Sequence, residues 1–130
     1  MFIQINPNNG LAIYDQVVRQ VKFGIADGVL RKGELVPSVR ELARQLAINP
    51  NTVARAYRQL QDEELLEAVR GRGLQVAEAA PRQCRQERRL LIGERIGTVL
   101  AEAAQSGLDP DELSALVARE MAKINRRQKS

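Results

Sequence analysis

Only about three residues can lie between a helix that starts at Ser38 and one that starts at Asn49-Pro50, and so short a link forces the two to cross steeply. Glu41 follows Ser38 by three residues, the capping-box spacing in which hydroxyl and carboxylate each take the other's backbone amide. Val39, Leu42, Ala43 and Leu46 then make the buried stripe of a short first helix. Pro50 cannot sit inside a helix but suits its first turn, with Asn49 as the N-cap. Val53, Ala56, Tyr57 and Leu60 form the inner face of the second helix, which runs towards Glu64. Beyond it, Leu66–Val69 and Leu74–Ala77 flank Arg70-Gly71-Arg72-Gly73 and read as a two-stranded hairpin. The order is that of a winged helix-turn-helix, with the paired helices at about 38–58 and the wing at about 66–77.

The flanks read more simply. FIQI at the start alternates like a short strand or an extended arm and is bounded by the turn cluster Asn6-Pro7-Asn8-Asn9-Gly10. Ile13, Val17, Val21 and Ile25, with Val18 and Val29 beside them, mark one helical face that fades near Asp27-Gly28, and Arg31-Lys32-Gly33-Glu34 reads as a loop. Ala79-Ala80-Pro81 is the expected boundary, dividing an arm plus winged domain (1–80) from a helical extension (81–130). In the extension Leu91, Ile92, Ile96, Val99, Leu100 and Ala103 lie along one amphipathic helix. Ser106-Gly107-Leu108-Asp109-Pro110 is a stop, turn, N-cap and helix start. A second helix carries Leu113, Leu116, Val117, Met121 and Ile124, and the tail from Arg126 is expected to fray. The fold class is therefore mainly α with a small β wing, plus a two-helix C-terminal extension.

Composition removes several classes of function. The chain has no histidine and one cysteine, Cys84, so internal disulfides and His-dependent catalysis are excluded, and no metal site or cofactor is expected. No nucleophile–base pair, phosphate loop or ligand cluster suggests an enzyme. No apolar run is long enough to span a bilayer, and MFIQINPNNG lacks the basic start of a signal peptide, so a cytoplasmic protein is expected. The net charge is +4, and residues 31–76 and 81–130 are each basic on balance, which favours phosphate contact without defining it.

Specificity has to come from positions. On the second helix the face opposite Val53, Tyr57 and Leu60 presents Asn51, Thr52, Arg55 and Arg58, with Asn49 just ahead of them. Asparagine pairs with adenine edges, arginine with guanine edges or phosphate, and threonine with a base or a backbone oxygen. Arg40, in the first turn of the preceding helix, is placed to meet a phosphate or the groove edge. Arg70 and Arg72 would bring charge beside the minor groove, while Gly71 and Gly73 leave the backbone free to approach. Solvated arginines and an ordinary hairpin are the plainer reading of each piece alone.

From Leu11 to Val76 the chain resembles the DNA-binding domain of the GntR family of bacterial transcription regulators, in IYDQVVRQVKFGIADGVLRKGELVPSVRELA, NPNTVARAYRQLQDEELLE and RGRG. The resemblance implies a winged helix-turn-helix dimer on an inverted-repeat operator, and carries contact roles to Arg40, Asn51, Thr52, Arg55, Gly71 and Arg72. Three places depart from the family pattern: Val36, Ala47-Ile48 at the turn, and Leu74-Gln75-Val76 after the wing. The short extension is similar to that of the YtrA-like branch, which implies a dimerisation device built on Leu91, Ile92, Ile96, Val99, Leu100, Leu113, Leu116, Val117 and Met121. Two isolated helices bury little by themselves and need a partner, either the winged domain of the same chain or a second copy, and the homodimer is the expected one. The expected function is a sequence-specific DNA-binding regulator, most simply a repressor. A non-specific or architectural nucleic-acid binder and a protein-docking winged helix are the alternatives. The sequence does not identify a small-molecule effector.

Overall fold

The computed structural model describes residues 3–129. Along them run α1 (Ile13–Asp27), α2 (Val39–Leu46), α3 (Pro50–Asp62), β1 (Leu66–Val69), β2 (Gly73–Val76), α4 (Ala80–Gln105) and α5 (Pro110–Lys129). They divide into two compact units, residues 1–90 and 91–130.

In the first unit the apolar spacing of four on α1 turns Val17, Val18, Val21 and Ile25 inward. They meet Leu42 and Ala43 of α2, and Val53, Ala56, Tyr57 and Leu60 of α3. Each fully buried aliphatic side chain contributes about 1.5–3 kcal/mol, so this aliphatic cluster is the main force holding the three helices together. Val29, expected on the α1 face, is instead exposed. Gly28 takes φ +83° and ends the helix one residue earlier, so Val29 no longer follows the helical period.

The start of the chain is an extended arm, not a strand. Gln16 is buried and grips it: its Oε1 accepts from Asn6 N at 2.8 Å, while its Nε2 donates to Asn6 O, Leu11 O and Asn9 Oδ1. Gln20 holds both backbone groups of Gln4 in the same way. Phe2, part of the expected arm, lies outside the described residues.

Helix α4 starts at Ala80, inside the expected Ala79-Ala80-Pro81 boundary, and Pro81 falls in its first turn, where a proline costs nothing. Ala80 and Cys84 are buried with the core of the first unit, which extends to Leu90. A buried cation fastens this first stretch of α4. Lys22 Nζ donates to Glu63 Oε1 at 2.8 Å and to Glu87 Oε1 at 2.9 Å, tying α1 to the end of α3 and to α4. Burial by itself would lower the Lys22 pKa, but the two carboxylates outweigh it and hold the ammonium above its usual range.

In the second unit α4 ends in a left-handed Gly107, with Leu108 N donating back to Ala103 O, and Asp109 caps α5 by accepting from Glu112 N at 2.9 Å. Ile92, Ile96, Val99, Leu100, Leu116, Val117, Met121 and Ile124 are 39–59% exposed, while Leu91 and Leu113 are half-buried. The expected fraying from Arg126 does not occur, since α5 continues to Lys129. No helix among the described residues is long and apolar enough to cross a membrane.

Candidate nucleic-acid interface

The helix pair is built by its caps. Glu41 N donates to Ser38 Oγ at 3.1 Å and Ser38 N to Glu41 Oε1 at 3.3 Å, completing the box expected from the sequence. At the other end of α2, Ile48 N reaches Ala43 O and Ala47 N reaches Arg44 O, which requires Ala47 to be left-handed, at φ +54°. An alanine there carries a steric cost that glycine would not. Only Ala47, Ile48 and Asn49 separate α2 from α3. Asn49 Oδ1 accepts from Asn51 N at 2.8 Å, so this side chain is engaged in starting α3.

Tyr57 latches α3 to the approach of α2, its hydroxyl donating to Pro37 O at 2.7 Å. Burial first, then the nearby Glu41 carboxylate, push its pKa far above the usual range, so it stays a donor at any physiological pH.

With the inner face of α3 buried as expected, Asn51, Arg55 and Arg58 are exposed and Thr52 is half-buried. Arg40 is exposed in the first turn of α2. The Arg55 guanidinium carbon stands 3.7 Å from the centre of the Tyr14 ring, a stacking contact across from α3 to α1. The two residues lie on different helices, and no local sequence signal links them.

The wing pairs β1 with β2 antiparallel, Leu66 opposite Val76 and Val69 opposite Gly73. Gly73 therefore belongs to the strand, one residue earlier than expected. Arg72 N closes the turn on Val69 O at 2.9 Å, with φ +76° at Gly71 and +117° at Gly73, conformations that suit glycine. Arg70, Gly71, Arg72 and Gly73 are all exposed. The loop before α2 adds a third edge that sequence reasoning missed. Leu35 bridges Gln75, Gly33 N donates to Val76 O at 2.7 Å, and Val36 N to Leu74 O at 2.9 Å. An open cleft of about 590 Å³ lies between the start of α2 and the wing, lined by Pro37, Ser38, Glu41, Tyr57, Arg72 and Leu74.

Among the described residues Arg40, Arg55, Arg58, Arg70 and Arg72 form no ion pair with a carboxylate. Unpaired cations keep their donors for an external acceptor, and phosphate or a base edge is the chemistry they fit. No group of His, Cys, Asp and Glu among the described residues could hold a metal ion.

The family model described as bacterial regulatory proteins, gntR family, matches residues 13–76. The chain is 35% identical over 111 residues to the HTH-type transcriptional repressor YtrA of Bacillus subtilis strain 168, covering 85% of each chain. A solved GntR family transcriptional regulator from Listeria monocytogenes is similar with a TM-score of 0.67 at 28% identity, over 86% of this chain and 97% of that one. The DNA-binding domain of AraR, solved in complex with operator ORE1, is similar with a TM-score of 0.50 at 27% identity, over 57% of this chain and 90% of that one.

Proposed function

The chain belongs to the GntR family of bacterial regulatory proteins, DNA-binding winged-helix regulators of transcription, and from that premise we propose that it is a repressor binding an inverted-repeat operator as a homodimer. The observation that carries the reading is the exposed face of α3: Asn51, Arg55 and Arg58, with no carboxylate ion pair to either arginine among the described residues, on a helix whose opposite face is committed to the core. Asn51 at the N-terminal turn and Arg55 one turn on suit base reading, and Arg58 further along suits phosphate contact. Arg40 and Thr52 add backbone contacts, Asn49 sets the helix start, and Arg70 and Arg72 follow the neighbouring groove, with Gly71 and Gly73 letting the wing approach closely.

The dimer rests on the second unit. Its apolar side chains are too exposed for two water-bathed helices to be stable alone, and a second copy offers the same surface by symmetry. Leu91, Ile92, Ile96, Val99, Leu100, Leu113, Leu116, Val117 and Met121 make that contact. Two reading heads on one dimer require two half-sites, and a dimer seated over a promoter excludes polymerase by bulk.

Selection of bound sequences from a random duplex pool tests this, with the affinity of the winner compared against random DNA at two salt concentrations. An inverted repeat bound far more tightly than random DNA supports the reading. No enrichment, with affinity collapsing in salt, refutes sequence-specific repression and leaves a non-specific binder.

A further inference from the structure

We propose that Tyr14 is the positioning residue for base recognition by Arg55, holding its guanidinium flat on the tyrosine ring so that the donor edge is presented to the DNA. The inference rests on the proposed operator reading and assigns a role in it to a residue of α1, outside the reading helix.

Arg55 is exposed, and an exposed arginine ordinarily moves among many rotamers. Here its guanidinium carbon lies 3.7 Å from the Tyr14 ring centre, the distance of a stacked cation–π contact. Tyr14 is itself half-buried against the core cluster at the start of α1, which packs on α3, and that packing restrains its ring. The ring is therefore a fixed plate, and the arginine lies on it. Stacking occupies the face of the guanidinium and leaves its in-plane N–H donors untouched. Those donors are what a guanine edge recognises, two at a time. No carboxylate among the described residues competes for them. Arg58, equally exposed on the same helix, has no comparable aromatic contact among the described residues, so the two arginines divide: Arg55 is held for geometry, and Arg58 is a mobile charge suited to phosphate.

Holding the side chain before binding lowers the entropy lost on binding, and a contact of this kind at an exposed site corresponds to about a two- to fivefold change in affinity. Tyr14→Leu keeps an apolar group in place and removes the ring. It should weaken binding to the selected operator by that factor and relax preference at the one base pair that Arg55→Ala also relaxes. In the Arg55→Ala background the same change should have no further effect. A second series leaves packing unchanged: Tyr14→Phe, then phenylalanine with one, two and three ring fluorines at position 14, which drain charge from the ring face at nearly constant shape. Operator affinity should fall stepwise along this series while the melting temperature stays level.

Two results overturn the proposal. One is a flat fluorine series. The other is a Tyr14→Leu loss that persists undiminished without Arg55, or that is spread evenly over all base positions, since that marks ordinary packing. Failure of the underlying operator reading shows separately and earlier, as absence of any sequence preference in the unsubstituted protein, and takes the proposal with it.

Discussion

Replacing Lys22 by methionine keeps the length of the side chain and deletes its charge, which isolates the buried ion triad. The Lys22 side chain is 5% exposed, and its two partners, Glu63 and Glu87, are 29% and 27% exposed. Removing one member of a fully buried ion pair costs about 3–5 kcal/mol, because the other is left desolvated and alone. Here two carboxylates are left, less than 6 Å apart by the sum of their 2.8 and 2.9 Å contacts with Lys22 Nζ. At an effective dielectric of about 20 they repel by roughly 3 kcal/mol. Both reach some water, and screening trims each contribution, so the expected loss is about 3 kcal/mol in total. Glu87 Oε2 is buried and has no hydrogen-bond partner among the described residues, which leaves that carboxylate poorly placed to recover on its own. For a unit of this size the loss corresponds to a fall in Tm of roughly 10–20 °C. Urea unfolding followed by tyrosine fluorescence measures it, since both tyrosines, Tyr14 and Tyr57, lie in the first unit. Adding Glu63→Gln and Glu87→Gln to Lys22→Met removes the stranded charges and should restore most of the stability. A single variant within about 0.5 kcal/mol of the unsubstituted protein would refute the electrostatic argument. So would a triple variant no better than the single one.

Other consequences can be measured in parallel. Arg55→Ala should cost about 1–3 kcal/mol on the operator and relax one base position, whereas Arg72→Ala should lower affinity evenly and reduce the salt slope by about one. Equal losses on operator and random duplex for both variants contradict that division. Ile96→Glu combined with Leu116→Glu should sediment as a monomer with weakened operator binding, and a persistent dimer would place the interface elsewhere. Ala47 and Glu64 both sit at left-handed helix ends, at φ +54° and +63°, so Ala47→Gly and Glu64→Gly should each stabilise the fold by about 0.5–1 kcal/mol in denaturant titrations. Burial, and next to it the Glu87 carboxylate, hold the Cys84 thiol up at about 11 against an ordinary 9.0. The folded protein thus keeps a proton that the unfolded chain gives up first, and this contribution to stability is full below pH 9.0 and lost as pH rises to about 11. Cys84→Ala should flatten the fall in stability over that window by about 2 kcal/mol, and an unchanged slope sinks the assignment.

The parts of this fold that were legible in the sequence are those governed by neighbours in the chain. The Ser38–Glu41 box, the Asn49-Pro50 start and the Gly107 stop each depend on groups within about one helical turn of one another, and the burial of Val53, Ala56, Tyr57 and Leu60 follows from period alone. The exposed face of α3 was legible for the same reason, as the complement of a buried stripe. Tertiary packing decided the rest. Lys22 reads as one polar residue in a helix, and only the meeting of chain segments 41 and 65 residues away gives it Glu63 and Glu87. Gln16 and Gln20 hold the arm, and Leu35 extends the wing, through pairings with no local signature. Ala79-Ala80-Pro81 reads as a boundary because alanine and proline are as suited to a helix start as to a connection, and only the burial of Ala80 and Cys84 shows that the first stretch of α4 belongs with the core. Tyr14 and Arg55 come from different helices and meet only when α1 packs on α3, so their stacking contact is visible in three dimensions alone.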